Sequence, residues 1–214
     1  QKKKAKAELK VRVIVDGLVA NQRDHNEQLK RMEENGIEVI YWKNLDHSFV
    51  GQHRKMIIVD NEHLIAGGLN YGDVYSHANI AVQGWRDTDI YLKGAAAVEG
   101  NALFAQLWNQ QIDLSKKPSK IKYSKVEVPN TKDSKSKTTG ESSGIKVSII
   151  NHDPVNYSLN SINHKNNVGS TIIMTILKAI RSAKKTVDIE NAYIILFPGL
   201  KKEIQDAVDR GVKV

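Results

Sequence analysis

The sequence contains no cysteine in its 214 residues, which excludes a disulfide framework, a thiol nucleophile and thiolate metal sites. No apolar run of about 18 residues occurs, so nothing in it is built to span a bilayer as a helix. The opening residues do not read as a secretory leader. The chain opens Gln1-Lys2-Lys3-Lys4 without a methionine, the pattern of a processed chain or of a piece cut from a longer one. No Walker-type loop, zinc-ligand spacing or EF-hand occurs either. What remains is ordinary globular composition, 26% charged and 40% hydrophobic, in a length that suits one large domain or two small ones.

The net charge is +8, and its location decides what it means. Residues 115–146 hold nine lysines against three acids, so most of the excess sits in one stretch. That stretch is rich in Ser, Thr and Lys, carries two prolines and two glycines, and has only scattered apolar residues. It cannot bury much surface and reads as a flexible linker. A cationic tract also attracts anionic lipid or polynucleotide without discriminating between them. The linker divides the chain into residues 1–114 and 147–214.

In the first part, residues 11–15 are a buried strand ending in Asp16-Gly17, and residues 26–35 an amphipathic helix closed by Asn35-Gly36. A strand follows at 37–41. Residues 56–59 and 63–66 flank Asp60-Asn61-Glu62 as a strand pair with a tight turn. Another strand spans 89–92, and apolar residues recur at helical spacing over 95–108, where Trp108 is a core anchor, as is Trp85 upstream. The second part reads as a strand at 147–150, a helix at 171–183, a strand at 186–189, a helix at 201–209 and a strand at 212–214. This alternation predicts an α/β fold with a mostly parallel, mixed sheet flanked by helices. The ends of the chain also match, Leu9-Lys10-Val11 against Val212-Lys213-Val214, as an internal repeat would make them.

The chemistry concentrates in residues 52–70, QHRKMIIVDNEHLIAGGLN. His53, Lys55 and Asp60 stand in the spacing H-x-K-x4-D, followed six residues later by Gly67-Gly68-Leu69-Asn70. Residues two apart on a strand share a face, so His53 and Lys55 project together. A neutral imidazole beside an ammonium is a nucleophile next to an anion-binding charge. Two glycines let the backbone approach a ligand closely, and Asn70 adds an amide donor. Such a set suits a phosphoryl group, whose transfer depends on positioning and charge stabilisation. One histidine on a strand is commonplace, and so is a lysine two positions on. All the elements at fixed spacing are not.

This pattern resembles the phospholipase D superfamily, whose signature is H-x-K-x4-D followed by G-[GS]-x-N. The further features Gly84-Trp85-Arg86-Asp87, Gly94, Phe104 and Trp108 are similar to its bacterial cardiolipin synthases. Glu190-Asn191-Ala192-Tyr193 and the stretch Ala207 to Val214 resemble the opening of that family's second lobe. The resemblance implies one lobe and part of another in a two-lobe fold: the latter part of a first lobe at 1–114, the linker at 115–146 and the opening of a second lobe at 147–214.

It also implies roles. Two H-x-K motifs meet between the lobes; one histidine forms a phosphohistidine, while the other protonates the leaving alcohol and activates the acceptor. His53 would be one of the two. Lys55 and Asn70 would bind the phosphoryl oxygens, and Asp87 would orient His53, with Asp89 as the competing carboxylate. Asp60, Gly67 and Gly68 are structural members of the motif. His47 and Tyr193 are candidate substrate contacts, and Tyr71 and Tyr75 either contact substrate or pack on the sheet edge. No metal or other cofactor is expected.

Only one H-x-K-x4-D is present, so the second half-site is expected from the rest of a parent chain or from a dimer partner. The expected substrate is a phospholipid resembling phosphatidylglycerol, which brings the protein to a membrane surface. The basic tract alone favours nucleic acid, and the mixed charge around His53 argues against it. A nuclease on the same scaffold and an inactive lipid-binding module are the alternatives.

Overall fold

A computed structural model describes residues 9–21, 23–43, 51–76, 84–114, 123–134, 146–152 and 171–214. The chain separates into two compact units, residues 1–149 and 150–214. The first unit opens with β1 (Arg12–Asp16), α1 (Arg23–Glu34) and β2 (Glu38–Trp42). The two strands pair in parallel from Arg12 opposite Glu38 to Asp16 opposite Trp42. Then come β3 (Met56–Val59), β4 (His63–Gly67), the single turn α2 (Asp73–Ser76), β5 (Asp89–Lys93) and the long α3 (Ala95–Leu114). β3, β4 and β5 form an antiparallel sheet in that order.

The α/β class stands, and pairing is mixed: parallel between β1 and β2, antiparallel through β3, β4 and β5. Antiparallel pairing follows from the short connection at Asp60-Asn61-Glu62. Asp60 and Asn61 both take positive φ, 52° and 58°, and the Glu62 N–H closes on Val59 O at 3.0 Å. That is the turn whose twist suits a hairpin, and Asp and Asn tolerate it better than most residues.

α3 covers both sheets. Its N-terminal half lies on the antiparallel one, where a Cβ on Gly100 would come within 3.1 Å of Leu64 Cδ1, so the small residue sets the approach. Its C-terminal half carries the buried Trp108 and Gln111. Gln111 Oε1 accepts from the Lys43 N–H (3.1 Å) and its Nε2 donates to Lys43 O (3.3 Å), closing the end of β2. The helix runs past Trp108 to Leu114 because Gln111 is still a packing residue one turn further on.

Part of the stretch expected as linker lies on this helix. Trp108 Nε1 donates to Ser124 O (3.1 Å), and Asn109 exchanges two 2.8 Å hydrogen bonds with the Val126 backbone. Lys125 pairs with Asp113 at 2.6 Å, and a short helix α4 (Thr131–Ser134) follows. Polar side chains of α3 supply partners that a purely apolar pattern does not count.

The second unit contains α5 (Thr171–Ser182) and α6 (Pro198–Asp209) around a core of Ile180, Ala207 and Val212. The strand expected at 147–150 does not form, and those at 186–189 and 212–214 reduce to one parallel bridge, Thr186 opposite Lys213. Among the described residues no third strand pairs with them. The two helix ends before β2 and before Lys213 are built alike. After α1, Gly36 has φ +83°, with Ile37 N–H on Met32 O (3.0 Å) and Gly36 N–H on Glu33 O (3.0 Å). After α6, Gly211 has φ +81°, with Val212 N–H on Ala207 O (3.0 Å) and Gly211 N–H on Val208 O (2.8 Å). Both are Schellman caps, the first leading into β2 and the second to the bridge at Lys213. In cap geometry residues 32–37 and 207–212 are alike.

Candidate active site

Antiparallel order brings the start of β3, the end of β4 and the start of β5 to one end of the sheet. His53 and Lys55 lie just before β3, Gly67 ends β4 with Gly68 and Asn70 beyond it, and Asp87 lies two residues before β5. The pieces of the motif thus meet through topology alone. Asp60 does not join them. It sits at the hairpin tip, with the length of β3 between it and Lys55, and its positive φ makes it a turn residue.

The approach to His53 is anchored by Asp16 at the end of β1. One carboxylate oxygen accepts from the Leu18 and Val19 N–H groups (2.9 and 3.1 Å), and the other from the Gln52 N–H at 2.6 Å. The Gln52 side chain then accepts from the Arg54 N–H at 3.0 Å. The ladder begins at Lys55, whose carbonyl accepts from the Gly67 N–H (3.3 Å). The Lys55 ammonium donates to His53 O at 2.8 Å.

The glycines allow the segment before β5 to press against the motif. A Cβ on Gly68 would lie 2.5 Å from Asp87 Oδ1, and one on Gly67 would lie 2.6 Å from Thr88 O. Both are closer than real side chains approach. Asp87 Oδ1 accepts from the Thr88 N–H (2.8 Å), and Asp89 Oδ1 from the Leu69 N–H (3.2 Å). Partial burial lowers the Lys55 pKa below its ordinary value, and the Asp87 carboxylate opposes that shift. Burial, then the Asp89 charge, raises the Tyr71 phenol.

The expected orienting bond from Asp87 to His53 is not made. Among the described residues no hydrogen bond joins them; the Asp87 charge acts on Lys55 instead, and its oxygen holds the backbone beside Gly68. His53 is exposed, as are Asn70 and Asp87. Asn70 Nδ2 donates to Tyr75 Oη at 2.9 Å. Trp85, expected in the core, is 61% exposed and meets the Tyr75 ring edge-on at 5.7 Å, whereas Trp108 is fully buried. His47 lies outside the described residues. Tyr193 belongs to the second unit, in an exposed loop, its N–H donating to Asn191 Oδ1 at 3.0 Å.

Among the described residues no group of three or more His, Asp or Glu side chains is arranged to hold a metal ion, and no helix is long and apolar enough to cross a membrane. Two further residues shape the site without belonging to the motif. Asp16 has a signal in the sequence, an Asp-Gly at a strand end, but nothing there ties it to His53. Tyr75 has only its nearness to Asn70.

Known proteins are similar to parts of this chain or to nearly all of it. "Cardiolipin synthase 1" of Bacillus anthracis is 34% identical over 112 residues, half of this chain and 22% of that protein. "Cardiolipin synthase 2" of Bacillus cereus is 41% identical over 56 residues, 26% of this chain and 11% of that protein. An uncharacterized protein of Streptococcus mutans is 24% identical over 212 residues, 96% of this chain and 41% of its own length. This chain therefore corresponds to well under two thirds of each. No protein-family model matches the chain, and no solved structure matches it.

Proposed function

We propose that the first unit carries one half-site of a phospholipase D-superfamily enzyme, and that its reaction is phosphatidyl transfer between phospholipid head groups. The observation that carries this reading is the convergence of His53, Lys55, Asn70 and Asp87 at one end of the antiparallel sheet, where two glycines let the segment carrying Asp87 approach closely. The relatives named cardiolipin synthase support a phospholipid as substrate. Making cardiolipin from two phosphatidylglycerols is then the specific reaction.

The proposed chemistry uses two histidines, one of them His53. An imidazole nitrogen of one histidine attacks phosphorus, and the P–O bond to the departing alcohol breaks. The alcohol takes its proton from the histidine of the complementary half-site. That histidine then removes a proton from the acceptor alcohol, whose oxygen attacks phosphorus and releases the first histidine. His53 fills one of these two roles. Lys55 and Asn70 hold the non-bridging oxygens as charge gathers on them. The Asp87 charge favours the protonated form of Lys55, against the larger effect of burial. The complementary half-site comes from the remainder of the natural chain or from a second copy. With water as acceptor the product is phosphatidic acid. A lipid substrate places the reaction at a membrane surface.

The test uses the natural full-length protein, phosphatidylglycerol vesicles, EDTA and mass spectrometry, beside a His53→Asn control. Cardiolipin plus glycerol, absent from the control, is the expected result. Phosphatidic acid alone changes the acceptor to water. No lipid product from folded protein overturns the reading and turns the question to DNA cleavage or to binding without catalysis.

A further inference from the structure

The Asn70 carboxamide is held rather than free. Its Nδ2 donates to the Tyr75 hydroxyl at 2.9 Å, across the loop from β4 to α2. Tyr75 is itself held, its backbone N–H donating to Gly72 O at 3.0 Å. Trp85 packs edge-on to its ring, centroids 5.7 Å apart and planes at 71°. The Trp85 N–H donates to Val74 O at 2.8 Å, tying the segment before β5 to α2. Trp85 stands two residues before Asp87, so one aromatic pair touches both the loop that carries Asn70 and the segment that carries Asp87.

An asparagine amide at an exposed position has a soft terminal torsion, and its oxygen and nitrogen ends are nearly the same size. Only the nitrogen end can donate to a phosphoryl oxygen. Nδ2 has two hydrogens, and committing one to Tyr75 leaves the other directed by the same plane. The phenolic proton is not used in that bond, since the Tyr75 oxygen accepts.

We propose that Tyr75 is a positioning residue: its hydroxyl fixes the Asn70 carboxamide with one N–H presented to the phosphoryl oxygen. The inference rests on reading this end of the sheet as a phosphodiester site. Tyr75 does not itself touch the reacting atoms. Misplacing a group that does can cost as much as a hundredfold in rate.

Tyr75→Phe removes the oxygen and keeps the ring that Trp85 packs against. Two readouts separate this proposal from the reading beneath it. The first needs no activity: in the full-length protein with 15N-labelled asparagine, the Asn70 side-chain amide pair is identified by its loss in Asn70→Ala. Tyr75→Phe is expected to shift that pair and speed its exchange with water. An unmoved pair overturns the positioning role. The second is turnover on phosphatidylglycerol vesicles, where Tyr75→Phe is expected to lower kcat about tenfold with KM within about twofold, and to have no further effect in an Asn70→Ala background. Losses that multiply in the double variant overturn the proposal, because Tyr75 then acts independently of Asn70. If the amide pair responds while the wild-type protein makes no lipid product, phosphatidyl transfer fails as the function and the positioning of Asn70 stands.

Discussion

Asp87 Oδ1 lies 2.5 Å from the point a Cβ on Gly68 would occupy. The second glycine of the motif is therefore a seat for a carboxylate. Gly68→Ala forces the segment before β5 outward and carries Asp87 away from Lys55. Overpacking of this kind costs about 1–3 kcal/mol. Gly72→Ala is the matched control, because a Cβ there meets nothing within 4 Å. Urea denaturation should show a loss in the first variant and none in the second. Equal stability of the two would remove the close approach as the reason for Gly68.

The relation between Asp87 and Lys55 has a sign that titration can read. Burial lowers the Lys55 pKa and the Asp87 charge raises it. Asp87→Asn removes only the raising influence, so the Lys55 ammonium should lose its proton at a still lower pH. Nζ-detected NMR titration of Lys55 reads this directly, and its midpoint should move toward neutrality in the variant. A midpoint that stays in place, or moves upward, contradicts the pairing.

Much of this arrangement is legible in the amino-acid sequence. The hairpin at Asp60-Asn61 can be read there because paired Asx residues between apolar runs have one cheap solution. The helix ends at Gly36 and Gly211 follow from glycine after a charged periodic segment. Convergence of His53, Asn70 and Asp87 follows once three short strands are placed antiparallel. Other relationships leave no periodic trace. The Asp16–Gln52 bond spans 36 positions between the end of β1 and the segment before β3, and Asn109 finds Val126 across a lysine-rich stretch whose composition suggests no partner at all. Trp85 misleads for a related reason: a large apolar side chain is spent at the exposed site on Tyr75 instead of in the core.

Asp16 should matter more than its place outside the motif suggests. Its carboxylate accepts three backbone N–H groups, those of Leu18, Val19 and Gln52. Asp16→Ala strands these donors and frees the segment leading to His53. A cost of about 1–3 kcal/mol is expected for losing a charged acceptor of this kind. Hydrogen exchange should accelerate at Leu18, Val19 and Gln52 together, with β3 to β5 little changed. Acceleration at Leu18 and Val19 alone would mean that the β1 turn and the His53 segment are not coupled through this side chain.

Acid should unlock the second unit through Glu203. This carboxylate is buried on α6 and receives the Arg181 guanidinium through both Nε and Nη2. The Arg181 hydrogen bonds, with its charge behind them, hold the Glu203 pKa below the ordinary value against the opposing effect of burial. A carboxylate depressed on folding contributes stability that is complete above its unfolded pKa and lost as pH falls through its folded pKa. The contribution should therefore be intact above about pH 5 and decline below it. Glu203 packs in the unit whose core is Ile180, Ala207 and Val212, so amide exchange at those residues is the local readout. On acidification, protection there should fall in the wild-type protein, and in Glu203→Gln that acid-dependent part should be missing, with protection already lower at neutral pH. An acid response of equal size in the variant would assign the pH dependence to other carboxylates.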